Sequence, residues 1–416
     1  MEQIRQALLR EYAELLEPGQ DHEERRSGLR RGCAAIICKD NLVVDGLTRE
    51  ALAETAVREI AGFGPIEPLL DDPLVTDVMV NRPNEIYFER EGVLRRSDLS
   101  YRDEKHVRES VARILAPLGR RLDNLIPFVD ARLPDGSRLN VIIPPLATGG
   151  CTITIRRFRK QPLSVDELIA LELLTDEVAS LLRAVVACRL NLLISGGAGS
   201  GKTTLLNALC LLVPQAKERL VAIEDAAELR LESVHAVNLE ARPANLEGLG
   251  EVTIRQLVRN ALRMRPDRLV LGEVRDEAAY DFVSAINTGH AGSMCTIHAN
   301  SAQDALFRLE TLALMSAGNV VLAAVRDQIT SALDIVVHLA RSESGKRQVA
   351  EIAVLAGVSR GADPVTVCVW PPPRQAETVL VLHHLQHRST RRGAVHAVAG
   401  LLRTARELLS GGVPGA

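Results

Sequence analysis

Residues 195–204 read Ser195-Gly196-Gly197-Ala198-Gly199-Ser200-Gly201-Lys202-Thr203-Thr204, and this stretch decides the fold. From Gly196 to Thr203 it fits G-x-x-x-x-G-K-[ST], the phosphate-loop pattern. The pattern carries meaning only between a strand and a helix. Leu190, Leu192, Leu193 and Ile194 supply a short apolar strand before it; Thr203 to Leu212, stopped by Pro214, supply a helix after it. Glycines let the backbone turn so that successive N–H groups point at one phosphate. The new helix adds its dipole and its unpaired N–H groups. In such loops the lysine reaches the β- and γ-phosphates and the following hydroxyl holds Mg²⁺. Gly196, Gly197, Ala198, Gly199, Ser200, Gly201, Lys202, Thr203 and Thr204 are therefore the expected ATP-binding set, with Thr203 a Mg²⁺ ligand. The alternative is a glycine-rich turn without a ligand, which the flanking strand and helix disfavour.

Working outward, Ser164-Val165-Asp166-Glu167 is a capping box that opens a helix. From there strands and helices alternate to about residue 358, which predicts a mostly parallel sheet. The expected strands are 190–195, 219–224, 268–272, 293–297, 334–339 and 348–354. Two of them end in acids. Arg268-Leu269-Val270-Leu271-Gly272 leads to Glu273, placed to hold the Mg²⁺ shell or to orient and deprotonate water. Leu220-Val221-Ala222-Ile223 leads to Glu224, Asp225 and Glu228, three carboxylates that could hold metal or water. Helix-start acids favoured by the dipole explain these three equally well when they are taken alone. A third strand runs between His290 and His298, and His298 at its far end could contact the γ-phosphate or the attacking water.

Before the loop the chain reads differently. Ile4, Leu8, Tyr12, Leu15 and Leu16 repeat at helical spacing; Gln20 to Gly32 reads as a polar linker; Cys33 to Ala61 reads as further helix. A mixed α/β unit follows. Val75 to Val80 is strand-like, 86–94 is a hairpin turning at Glu91-Gly92, and Lys105 to Leu118 is helical. Val129–Leu133 and Leu139–Ile143 flank Pro134-Asp135-Gly136-Ser137 as a second hairpin, and 152–158 closes the unit. Arg132, Arg138, Arg156 and Arg157 lie on these strands, where a solvated face is their ordinary role.

The 416 residues suffice for two or three domains, and a net charge of −3 sets up no global field for nucleic acid. Aromatic content of 3% argues against base-stacking platforms. The seven cysteines include no C-x-x-C pair, as expected for reduced core residues in a cytoplasmic protein. No uncharged run reaches the ~18 residues of a membrane span, so membrane association is expected through a partner.

Several strings together resemble the traffic ATPases of the type II/type IV secretion superfamily, and within it the CpaF-like motors of Tad/Flp pilus systems. They are PIEPLLDDPLVTDVMVN (65–81), ARLPDGSRLNVIIPP (131–145), TITIRRF (152–158), GGAGSGKTTLLN (196–207), IEDAAELRL (223–231), 239–275 ending in LVLGEVR, and NTGHAGSMCTIHANSAQDALFRLE (287–310). The resemblance, which covers roughly residues 63–355, implies an α/β fold: a RecA-like P-loop ATPase domain at 161–358 with a mostly parallel central sheet, preceded by a smaller mixed α/β domain at 62–160; the helical extension at 1–61 and a tail at 359–416 lie outside it. It implies a homo-hexameric ring that hydrolyses ATP with Mg²⁺ and drives an inner-membrane platform protein from the cytoplasmic side, without nucleic acid. Glu224, Asp225 and Glu228 would form an acidic box, with Glu224, Asp225 and Glu273 near the metal. Glu273 would assist water, with Glu228 as the next candidate base, and His290 and His298 would form a histidine box. Arg138 and Arg156, with their neighbours Arg132 and Arg157, would approach the nucleotide phosphates. Two features depart from the family: Asp276 stands where Gly is usual, and the sequence after 358 is unlike it. His383, His384 and His387 in that tail lack the carboxylate or cysteine company of a metal site. A RecA-like nucleic-acid motor and a slow nucleotide-sensing regulator are the competing functions.

Overall fold

The computed structural model describes residues 2–12, 22–40, 48–90, 92–157, 161–214, 217–231, 235–242, 244, 249–276, 278–316, 320–342, 345–356 and 365–370. The chain divides into two compact units, 1–159 and 160–416.

The first unit opens with three helices, α1 (Glu2–Glu11), α2 (His22–Lys39) and α3 (Arg49–Ala61). They share a core of Ile4 and Leu8, Leu29, Cys33, Ile36 and Ile37, and Leu52, Ala53, Ala56 and Val57. The polar stretch expected to be a linker is helical from His22 onward. Its apolar residues are few, but Leu29 and Cys33 continue the stripe of Ile36 and Ile37 along one helix face. Gly32 lies on that face, and a Cβ there would come within 3.2 Å of Leu8. The glycine thus lets α1 and α2 approach closely.

After α4 (Glu67–Asp71) come β1 (Val75–Arg82), β2 (Glu85–Arg90), β3 (Val93–Arg96), α5 (Glu104–Leu115), β4 (Phe128–Arg132), β5 (Arg138–Ile142) and β6 (Thr152–Arg156). Among the described residues these strands form an antiparallel sheet in the order β3-β2-β1-β6-β5-β4. Alternation splits its faces. Val78, Val80, Ile86, Leu139, Val141, Ile153 and Ile155 pack with Val107 and Val111 of α5. Asp77, Arg132, Arg138 and Arg156 project from the other face.

The second unit contains α6 (Val165–Ala170), α7 (Asp176–Ala187), β7 (Leu192–Gly196), α8 (Lys202–Leu211), β8 (Leu220–Glu224), β9 (Ala236–Glu240), α9 (Ile254–Ala261) and β10 (Arg268–Leu271). It continues with α10 (Ala278–Asn287), β11 (Met294–His298), α11 (Ala302–Ser316), α12 (Leu322–Ala332), β12 (Ile335–Arg341), β13 (Arg347–Ala356) and β14 (Val365–Trp370). The described strands form a sheet in the order β14-β13-β12-β7-β11-β10-β8-β9. From β12 to β9 every pair is parallel; β13 and β14 add antiparallel. Helices α6 to α8 cover one face and α9 to α12 the other, each with its own apolar core. A sheet buried on both faces explains why β7, β8 and β10 read as unbroken apolar runs rather than alternating ones.

Strand β9 went unread because Ala236-Val237-Asn238-Leu239-Glu240 is short and half polar. Strand β14 lies beyond the boundary expected at 358. The remaining tail reading, of His383, His384 and His387, falls outside the described residues. Among the described residues no helix is long and apolar enough to cross a membrane. Cys33, Cys151, Cys188, Cys210 and Cys295 are free and buried, and Cys38 is free and exposed.

Candidate nucleotide site

Strand β7 delivers the loop to the C-terminal edge of the sheet, the ligand-binding edge of open α/β sheets. Gly196, Gly199 and Gly201 take φ of 153°, 65° and 100°, conformations closed to most side chains. Gly196 is also hemmed in: a Cβ there would collide with the carbonyl oxygen of Leu339. Gly201 leads directly into α8, whose first residue is Lys202. The lysine folds back over the loop and donates to the carbonyls of Gly196 (3.0 Å) and Gly197 (2.8 Å). Ser200 lies in the same loop, its hydroxyl buried and without a hydrogen-bond partner among the described residues. A glycine cradle, an ammonium at its mouth and an unpartnered buried hydroxyl fit a polyphosphate.

Two neighbouring strands complete the site. In β11, His298 pairs in register with Gly196 of β7. Its Nδ1 lies 3.3 Å from the Lys202 ammonium, and its Nε2 lies 3.4 Å from Oε1 of Glu273. Glu273 follows β10 by two residues and accepts a 2.8 Å bond from Nη2 of Arg275. Arg275 also lies 3.6 Å from Asp225. The site therefore contains a continuous chain, Lys202–His298–Glu273–Arg275–Asp225.

The charges in that chain shift one another. Burial pushes Glu273 upward, but the hydrogen bond and charge of Arg275, with His298 and Lys202, outweigh it and hold the carboxyl below its usual range. His298 is lowered by burial and by the Lys202 charge, against the pull of Glu273. Near neutral pH the set is cationic lysine, neutral imidazole and carboxylate.

Glu224 behaves differently from its expected place at a metal. Its side chain is buried against Gly272, where a Cβ would meet its Cγ at 2.8 Å. Its oxygens accept the backbone N–H groups of Glu228 (3.0 Å) and Leu229 (3.1 and 3.2 Å). Burial raises it to about 7 despite those bonds. Glu224 thus braces the loop that carries Asp225 and Glu228. Among the described residues no group of three or more His, Cys, Asp or Glu side chains converges as metal ligands.

His290 lies before the start of β11, and Nδ1 of its ring is 2.9 Å from the carbonyl of Ala285. It is therefore at the opposite end of the strand from His298. Asp276, the departure from glycine, accepts the Ala278 N–H at 3.0 Å and starts α10. An acid is favoured at that position by the helix dipole. In the first unit, Arg132 pairs with Arg138, and Arg138 with Arg156, so three arginines stand side by side across β4, β5 and β6. Arg157 is turned elsewhere, donating to the backbone carbonyls of Asp72 and Val75.

Sequence reasoning missed Arg275 as the partner of Glu273, although a cation two residues past a strand-end acid is a readable signal. It also missed Ser195 and His338, whose Oγ and Nδ1 lie 2.9 Å apart behind the loop. A histidine inside the apolar run Val336-Val337-His338-Leu339 was the available sign.

A family model described as "Type II/IV secretion system protein" matches residues 59–402. A putative conjugal transfer protein of Mycobacterium tuberculosis is 41% identical over 345 residues, 81% of this chain and 97% of the relative. Protein VirB11 of Agrobacterium fabrum is 33% identical over 333 residues, 72% of this chain and 94% of the relative. Among solved structures, the pilus retraction motor PilT with bound ADP aligns with a TM-score of 0.50 at 18% identity, over 80% of this chain and 88% of that one, a likeness of fold.

Proposed function

Since the chain belongs to the type II/IV secretion system protein family and is an ATPase, we propose that it works as a homo-hexameric motor. Its output is the movement of a membrane-embedded platform in pilus assembly or secretion, of the Tad/Flp type by the strings quoted above. The working parts are taken as a helical extension (1–61), an α/β domain (62–160), the ATPase domain (161–358) and a tail. The single observation that carries the reading is the chain from Lys202 through His298 to Glu273 beside a glycine cradle.

ATP is the substrate. The loop amides and Lys202 bind its β- and γ-phosphates, and the Ser200 hydroxyl lies within the same loop. Thr203 and Glu273 would hold Mg²⁺, with Asp225 close by, and the ion would supply charge neutralisation at the phosphates. Glu273, kept ionised and aimed by Arg275 and His298, orients the attacking water and takes its proton. Glu228, on the loop braced by Glu224, is the second acid available to water. Arg138 and Arg156 supply further positive charge to the phosphates as hydrolysis proceeds. The chain acts from the cytoplasmic side of the inner membrane and touches it through its platform partner.

Capture of membrane proteins on the purified chain, followed by ATPase assay with the captured protein, tests the motor reading. A platform protein that binds and raises turnover supports it. Stimulation by single-stranded nucleic acid instead would transfer the chain to the nucleic-acid motors.

A further inference from the structure

Behind the phosphate loop, polar side chains form a row across an otherwise apolar layer. Strand register sets Ser195 of β7 opposite His338 of β12, and His338 opposite Glu351 of β13. Residues paired in this way project from the same face of the sheet. That face is otherwise packed with Leu193, Ile297, Val336 and Ala353. Ser195 is wholly buried and His338 nearly so. The Ser195 hydroxyl and Nδ1 of His338 are 2.9 Å apart. At the far end of the row, Glu351 accepts the N–H of Ala302 at 3.0 Å, the first residue of α11.

Both ends of the row lead to groups already placed at the phosphates. Ser195 immediately precedes Gly196, whose carbonyl holds Lys202. Ala302 follows His298 by four residues, and His298 contacts Lys202 in turn. Strand β12 also grips the loop root by its backbone, since Leu339 crowds Gly196. The charged groups facing His338 are Glu351, Asp304 of α11 and Lys202 of α8. Burial, with Lys202, lowers the imidazole against the two acids, so it meets Ser195 as a neutral ring. A polar row in this layer carries a desolvation cost that apolar side chains of similar size would avoid.

We infer that His338 and Glu351 are positioning residues for ATP hydrolysis, which hold the root of the phosphate loop and the His298 loop in fixed register. The inference rests on the assignment of Lys202 and His298 to the reacting phosphate. Rigid placement matters because a shift of about 1 Å in a reacting group costs on the order of 10² in rate.

The test uses the full chain, with kcat, KM for ATP and thermal midpoint measured for each variant. His338→Ala and Ser195→Ala should each lower kcat about tenfold, with KM held within about threefold. Thermal midpoints should stay close to that of the parent. The double variant should be no slower than the worse single, since one bond is lost in all three. His338→Asn, whose amide occupies the place of Nδ1, should recover kcat to within about threefold of the parent. Glu351→Gln keeps an acceptor for Ala302 and should resemble His338→Asn. Parental kcat in His338→Ala, or losses that multiply in the double variant, would overturn the inference. So would an asparagine variant that stays slow while its midpoint falls. Normal hydrolysis by Lys202→Ala would instead overturn the underlying site assignment.

Discussion

The Lys202 ammonium lies 3.3 Å from Nδ1 of His298. An ammonium can only donate, so Nδ1 accepts, and the proton of the neutral ring sits on Nε2. That nitrogen lies 3.4 Å from Glu273. One contact therefore sets the histidine tautomer and aims its N–H at the Glu273 carboxylate.

Replacing Lys202 by alanine removes the cation at the mouth of the loop. ATP affinity should fall and turnover should drop by at least about 10². Circular dichroism should remain that of the parent, because the ammonium's bonds to Gly196, Gly197 and His298 lie within the site rather than in the core. Nucleotide binding and phosphate release are the readouts, and parental values in both would remove Lys202 from the site.

Arg275→Gln should lower kcat roughly tenfold, less than any change at Glu273 itself, with little effect on ATP affinity. The guanidinium holds Glu273 at 2.8 Å and stands beside Asp225. Its loss frees the carboxylate to rotate without removing it. A variant as fast as the parent would show that Glu273 needs no such support.

The phosphate loop was legible because its signal is local: eight consecutive positions fix both the backbone turns and the cation. The parallel sheet was legible for a related reason, since strands buried on both faces leave uninterrupted apolar runs. The acids were located but not oriented. Nothing in Ile223-Glu224-Asp225 tells which carboxylate turns inward; that depends on Gly272, a neighbour by strand pairing, leaving room for Glu224. The linker reading of Gln20 to Gly32 failed because Leu29 is the one large apolar residue in that polar stretch, and it packs with Cys33, Ile36 and Ile37 in the helical core. The row of Ser195, His338 and Glu351 spans three separate strands, and only the register brings its members together.

Burial lowers His338 below the ordinary histidine value of about 6.5, so on acidification the unfolded chain takes up its proton first. The stability this residue contributes is present above that unfolded value and is lost as pH falls through it towards the lower folded value. His338→Asn removes the effect. Relative to the parent, its thermal midpoint should therefore improve as pH drops from about 7.5 to about 5.5. A gap between the two proteins that does not move with pH would contradict the neutral, buried imidazole.

Neutralising Arg138 and Arg156 together should reduce turnover at least about tenfold while leaving ring formation intact. The two pair across β5 and β6, so either can cover part of the other's loss and the double change is the informative one. Steady-state ATPase activity and light scattering with and without ATP read the two properties separately. Parental turnover would exclude these arginines, and a parent that stays monomeric with ATP at high concentration would exclude the ring.

The most direct test of the hydrolytic site is Glu273→Gln, with ATP Kd and kcat measured on the same preparation. The substitution keeps the side chain's size and removes its charge and basicity. ATP should bind with Kd close to that of the parent, while kcat falls by roughly 10²–10³. Parental kcat with intact binding would contradict the account and move the water-activating role to Glu228.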